Sequence, residues 1–152
     1  MTTADVDGFA SETERTRDVT RRFFEACNRH DLDEIMSFFH EDIVHRSRLS
    51  DYPKEGIAFA YKVTLAAFPD LRWNVQEIIA DGDKVAALIR FEGTHQGDYL
   101  GKPGTGKFCR FFAADFGRVQ DGQFIEHRGV LDELHLVAQI GVISETFLAQ
   151  MS

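Results

Sequence analysis

The sequence predicts one α+β domain, with helices packed on one face of an antiparallel sheet. Two observations carry this: apolar residues recur at helical spacing up to Phe68, then at strand spacing from Leu71 to Asp132. A third limits it to a single unit. The 152 residues are 43% hydrophobic and show no internal repeat, linker or low-complexity tract, and a chain of this length buries a sizeable core without staples.

Residues 1–10 are small and acidic without periodicity and read as a loose tail, leaving 11–152 as the domain. Ser11 and Glu14 have capping-box spacing, and Val19, Phe23, Phe24, Ala26 and Cys27 follow at helical intervals, which predicts a first helix over 12–29. Asp31 and Glu34 repeat the cap ahead of Leu32, Ile35, Met36 and Phe39, a short second helix ending near His40. The next stretch, EDIVHRSRLSD, reads as a connection. Pro53 suits the first turn of a third helix, where its missing N–H costs nothing; that helix carries Ile57, Tyr61 and Leu65 to Phe68 and stops at Pro69.

From there the period is two. Leu71, Trp73 and Val75 alternate with Arg72, Asn74 and Gln76, and Asp81-Gly82-Asp83 turns the chain into Val85, Ala87, Ile89 and Phe91. Residues 93–107 hold five of the 12 glycines and form the longest loop. Within it Gly101 to Lys107 matches the G-x-x-x-x-G-K part of a phosphate-binding loop. Phe108 stands where the Mg²⁺-holding hydroxyl belongs, and a strand follows where that motif needs a helix N-terminus, so nucleotide binding is not expected. Strands over 107–120 and 123–132 are joined by Asp121-Gly122, a type I′ signal. A short helix over 133–140 and an apolar segment complete the chain.

Composition excludes several classes of function. With 17 Lys+Arg against 25 Asp+Glu the net charge is -8, which disfavours nucleic acid. The polar, acidic start and the lack of any apolar run of ~18 residues argue against a membrane partner. Cys27 and Cys109 lie far apart and read as reduced thiols of a cytoplasmic protein. The six histidines show no zinc-hydrolase spacing, so no metal is expected. His45 stands out because it follows Ile43-Val44 and can point inward.

The last hairpin carries the candidate chemistry. A two-residue turn at Asp121-Gly122 places Asp115 opposite Arg128, Gly117 opposite Glu126 and Phe111 opposite Asp132, with Phe124, Val130 and these residues on one face and His127 on the other. That face is either a solvated surface or the polar floor of a pocket. In a pocket, Asp115 beside Arg128 stays ionised while Asp132 beside Phe111 is desolvated and holds a proton more tightly. Such divergence is how acid and base roles are divided between carboxylates.

Phe68-Pro69-Asp70-Leu71-Arg72, Ile79 to Val85, Gly93-Thr94-His95-Gln96-Gly97, the Gly101 to Lys107 segment, and Asp121-Gly122-x-x-Ile125-Glu126-His127 through Asp132 to Leu136 resemble the SnoaL-like polyketide cyclases, of the nuclear transport factor 2 superfamily. The likeness covers about 15–141. It implies a cone-shaped fold, a curved antiparallel sheet wrapped around three N-terminal helices and an internal cavity, often dimerising through the outer surface of the sheet. It implies intramolecular aldol ring closure without cofactor or metal. Asp132 matches the family's acid/base aspartate, and His45 matches a histidine common after the second helix. Two departures are Arg128, where many relatives have Trp, and Gly104, in place of a second proline.

The expected function is a cofactor-independent cyclase or isomerase acting on a carbonyl-containing, apolar small molecule. Asp132, His45, Asp115 and Arg128 are the expected catalytic groups, and Phe111, Val130 and Trp73 the expected substrate contacts. Alternatives are an epoxide hydrolase of the limonene type, built on Asp115, Arg128 and Asp132, and a non-catalytic binding dimer. A steroid isomerase needs a tyrosine in helix one, whereas the tyrosines here are Tyr52, Tyr61 and Tyr99. Phe108, Phe111, Phe112 and Phe116 suggest that strand three is buried on both faces, one lining the pocket and the other a homodimer contact.

Overall fold

A computed structural model describes residues 3–47 and 50–150. Helix α1 (Thr3–Arg29) begins well before Ser11, within the stretch expected to be a loose tail. Ser11 is therefore inside the helix and caps nothing: its Oγ accepts from Arg15 Nη1. Thr16, Val19, Thr20, Phe23, Phe24 and Cys27 fall on one stripe and are buried, as the 3.6-residue period requires. The opposite face is laced by pairs such as Glu14–Arg17 and Asp18–Arg22. Thr16 donates to the Gly82 carbonyl at 2.7 Å, and Thr13 accepts from Gly82 N–H at 2.9 Å. These two bonds tie the helix to the first β-turn.

Helix α2 (Leu32–Ser37) starts as expected, with Asp31 accepting from Glu34 N–H. It ends at Ser37, short of His40, because the chain then enters β1 (Phe39–Arg46), followed by β2 (Asp51–Pro53). β1 takes Phe39 and His40 from the end of the expected second helix and runs into the segment read as a connection, and β2 starts at that segment's last residue. Pro53 serves as the N-cap of α3 (Lys54–Ala67). The remaining elements are β3 (Arg72–Asp81), β4 (Lys84–Thr94), β5 (Phe108–Gln120), β6 (Gln123–Leu131), α4 (Glu133–Gln139) and α5 (Glu145–Ala149).

The described strands form one sheet, ordered β2-β1-β6-β5-β4-β3. Every pair is antiparallel except β1·β6, which is parallel. Its concave face packs Ile89, Phe91, Phe111 and Phe124 toward the helices, where Phe23 meets Phe39 and Phe124 with ring centroids 5.4 and 5.1 Å apart. Each such buried ring contributes about 1.5–3 kcal/mol by leaving water. This is the α+β class that the residue patterns predict and the cone that the resemblance implies.

Register shifts interrupt three of the pairings, β1·β6 between Phe39 and Val44, β3·β4 and β5·β6. In β3 one extra residue, Gln76, lies between the pairs Val75↔Ile89 and Glu77↔Leu88. In β6 the pairs Gln120↔Gln123 and Val119↔Phe124 follow the two-residue turn, whose Asp121 (φ 51) and Gly122 (φ 80) both have the positive φ of type I′. Then Arg118 faces Glu126, so Ile125 is extra. An inserted residue reverses which face each later side chain takes. Asp115 accordingly faces Gly129, Phe116 faces Arg128, and Gly117 faces His127.

The expected Asp115–Arg128, Gly117–Glu126 and Phe111–Asp132 pairs are thus corrected. Glu126 instead bonds Arg118 at 3.2 Å, and Asp132 N–H donates to the Phe112 carbonyl. Nor is β5 buried on both faces within one chain. Phe111 is enclosed, but Phe108, Phe112 and Phe116 lie exposed on the convex side.

Candidate active site

Between the concave sheet, α3 and the start of α4 lies a cavity of about 930 Å³. Its inner end is aromatic. Phe91 stacks on Phe111 at 5.2 Å and 10°, and Tyr61 on Trp73 at 6.3 Å and 15°. Trp73 is fixed from behind: Asn28, near the end of α1, donates to its carbonyl at 3.0 Å and accepts its N–H at 2.9 Å. The Tyr61 hydroxyl is buried beside the Cys27 thiol, and burial first, then Cys27, pushes its pKa well above the usual value.

The opposite wall is polar and is made by β1, β6 and β5. The parallel register sets His45 beside His127, and their Nδ1 atoms are 2.7 Å apart. His127 Nε2 in turn lies 3.7 Å from Asp115 Oδ2. It is enclosed and has no hydrogen-bond partner. Gly129, opposite Asp115, leaves the space these groups need: a Cβ there would stand 3.0 Å from Asp115 Oδ1 and 3.9 Å from His45 Cε1.

Tyr52 closes the row by stacking on His45 with centroids 4.6 Å apart. It is seated on Gly56 of α3, where a Cβ would come within 2.8 Å of its ring. Burial, then the neighbouring His127, lowers the His45 pKa to about 4, against the opposing pull of Asp115 and Asp51. His45 is therefore a neutral imidazole at physiological pH.

Asp132 stands at the mouth. It is the N-cap of α4, with Oδ1 accepting from His135 N–H at 3.2 Å and Oδ2 3.9 Å from His135 Nδ1; half of its side chain is exposed. The structure therefore brings His45, Asp115, Phe111 and Trp73 to the cavity wall and Asp132 to its rim. Arg128 and Val130 also belong to the cavity lining, although beyond the Ile125 bulge they stand opposite Phe116 and Ala114, and Val130 is 59% exposed. Arg128 faces Phe116 and Asp115 faces Gly129, so the direct Asp115–Arg128 pairing expected from the sequence is not formed.

Sequence reasoning missed His127, Tyr52 and Tyr61 as wall residues. Simple alternation puts His127 on the other face, and only the bulge brings it in. Among the described residues no group of three or more His, Cys, Asp or Glu is arranged to hold a metal ion, and no helix is long and apolar enough to cross a membrane.

Comparison with known proteins agrees with this architecture. The sequence model of the SnoaL-like polyketide cyclases matches residues 17–140. The aklanonic acid methyl ester cyclase DnrD of Streptomyces peucetius is 28% identical over 129 residues, covering 82% of this chain and 89% of DnrD. Among solved structures, AclR of Streptomyces galilaeus superposes with a TM-score of 0.84 at 28% identity, covering 91% of this chain and 90% of that one. IdmH of Streptomyces antibioticus gives 0.75 at 29% identity, covering 83% and 98%.

Proposed function

Because the chain belongs to the SnoaL-like polyketide cyclase family, we propose that it closes a ring in a carbonyl-containing, largely apolar small molecule by cofactor-independent aldol chemistry. The observation that carries this reading is the row His45, His127 and Asp115 on one wall of a cavity whose inner end is aromatic. Stacked rings at the inner end suit a flat, apolar body. The polar wall suits its carbonyl edge.

A C–H between two carbonyls is acidic enough for an enzymic base to remove. Acceptor atoms there come from His45 and Asp115 in the wall and from Asp132 at the mouth. The resulting enolate attacks a second carbonyl of the same molecule, which the cavity folds so that the reacting carbons are close. The group that took the proton returns it to the new alkoxide. Atoms balance, so substrate and product are isomers.

The convex face supports a dimer as part of this reading: Ile79, Leu88, Phe112, Phe116 and Val130 are exposed on it, and exposed apolar patches mark contact surfaces.

Aklanonic acid methyl ester, the compound in the name of DnrD, is the substrate to try first. Incubation in ¹⁸O-labelled water followed by mass spectrometry should give a cyclised isomer without label from the ring-closing step. A product heavier by one water and carrying the label would replace a cyclase with a hydrolase. Binding without any conversion would leave a ligand-binding domain.

A further inference from the structure

The two histidines of the wall share one hydrogen bond, and its direction decides what His45 can do. Nitrogens 2.7 Å apart hold one proton between them, so one ring donates and the other accepts. Asp115 selects which. Its Oδ2 lies 3.7 Å from His127 Nε2, and that nitrogen has no hydrogen-bond partner among the described residues. A carboxylate only accepts, so the nitrogen facing it carries the hydrogen; a lone pair in that enclosed place would be repelled. With N–H at Nε2, His127 accepts at Nδ1. His45 then holds its proton on Nδ1 and presents the Nε2 lone pair at the cavity wall, where no described residue bonds it.

We propose that His45 Nε2 is the base that takes the substrate's carbon-bound proton, and that His127 is the positioning residue that fixes the required tautomer, with Asp115 behind it. The inference rests on the ring-closing reading above. In the step the C–H bond breaks, the proton goes to His45 Nε2, and the electron pair stays on the substrate as an enolate. The charge gained by His45 lies in line with Asp115 through His127. When the new C–C bond has formed, the same proton passes to the alkoxide, and His45 is neutral again.

The surroundings fit this role. The groups facing His45 are His127 from β6, Asp115 from β5, and Tyr52 and Asp51 from β2, with Tyr61 of α3 beyond Tyr52. Burial keeps the ring neutral at rest, and stacking on Tyr52 holds its plane. A histidine that served only to fill the wall would not need an enclosed neighbour whose second nitrogen is aimed at a carboxylate.

The tautomers are read directly, without substrate, by long-range ¹H–¹⁵N correlation spectra of histidine-labelled protein at pH 7. The expected result is a proton on Nδ1 of His45 and on Nε2 of His127. His127→Asn, whose Oδ1 can stand where Nδ1 stood, should keep the His45 tautomer, and His127→Leu should return it to the Nε2–H form favoured in water. His45 protonated on Nε2 in the wild type, or unchanged in His127→Leu, would overturn the proposal. Deuterium uptake at C1 of 2-tetralone in D₂O then tests the base itself. We expect a loss of about 10²-fold or more in His45→Gln, a smaller loss in His127→Leu, and a smaller one again in His127→Asn. Exchange in the wild type without ring closure of the ester would sink the cyclase reading and keep the base. Ring closure that survives His127→Leu at full rate would do the reverse.

Discussion

His45 is buried, and its pKa is lowered to about 4 mainly by that burial, which makes it a stability element as well as a candidate base. In the unfolded chain the same ring takes up a proton as pH falls through ~6.5. The folded protein does not until about pH 4. Between these values the unfolded state binds more protons, so stability rises with pH up to the upper value and is lost as pH falls toward the lower one. The shift is worth about 2–3 kcal/mol, less whatever cavity water screens. Urea unfolding at pH 4.5 and pH 7 should show wild type losing more stability on acidification than His45→Gln; equal losses would mean that the ring is not held neutral by the fold. His45 could be singled out in the sequence because it follows Ile43-Val44. Its partner could not, since no local signal marks Nδ1 of a histidine 82 positions away.

At the scale of elements, the sequence was most legible where chemistry forces the backbone. The Asp121-Gly122 turn, the α2 cap at Asp31 and the β3–β4 hairpin all stand where turn and capping residues put them. It was least legible where the backbone departs from its period. Exposed His40, Glu41 and Asp42 separate buried Phe39 from Ile43, so β1 carries no alternation to recognise. Ile125 is an ordinary strand residue, yet its insertion turns His127 inward and sets Arg128 opposite Phe116. Deleting Ile125 tests the element. With the unpaired residue gone, Phe124 still faces Val119 and Glu126 still faces Arg118, so His127 stays opposite Gly117 and Arg128 opposite Phe116. The expected outcome is a folded variant that keeps the His45–His127 coupling in the spectra, with less local twist in β6. Loss of that coupling in a folded deletion variant would show that the bend at the bulge, and not the register, sets the wall.

For the whole molecule, the helix-then-strand order was enough for the α+β class, and the resemblance supplied the cone. Neither could say which of the Phe108 to Phe116 rings face the cavity, because that depends on register. The structure leaves Phe112 and Phe116 42% and 48% exposed beside Leu88 and Val130. A stable pairing of two copies needs about 1,200–2,000 Å² of total buried surface. Light scattering on the purified protein should give twice the chain mass, and Phe112→Glu with Phe116→Glu should give a folded monomer. A wild-type monomer at micromolar concentration would remove the dimer.

Ring closure on the wall built by β1, β5 and β6 is tested by dismantling that wall one group at a time. Rates of ring closure of aklanonic acid methyl ester should be measured for His45→Gln, Asp115→Asn and Asp132→Asn, with circular dichroism confirming that each variant is folded. Loss of a positioned acid or base typically lowers the rate by about 10²–10⁴-fold. We predict a loss in that range for His45→Gln, a smaller one for Asp115→Asn, which acts through His127, and a measurable loss at the mouth for Asp132→Asn. Wild-type rates in folded His45→Gln and Asp115→Asn would place the chemistry outside this wall and contradict the account.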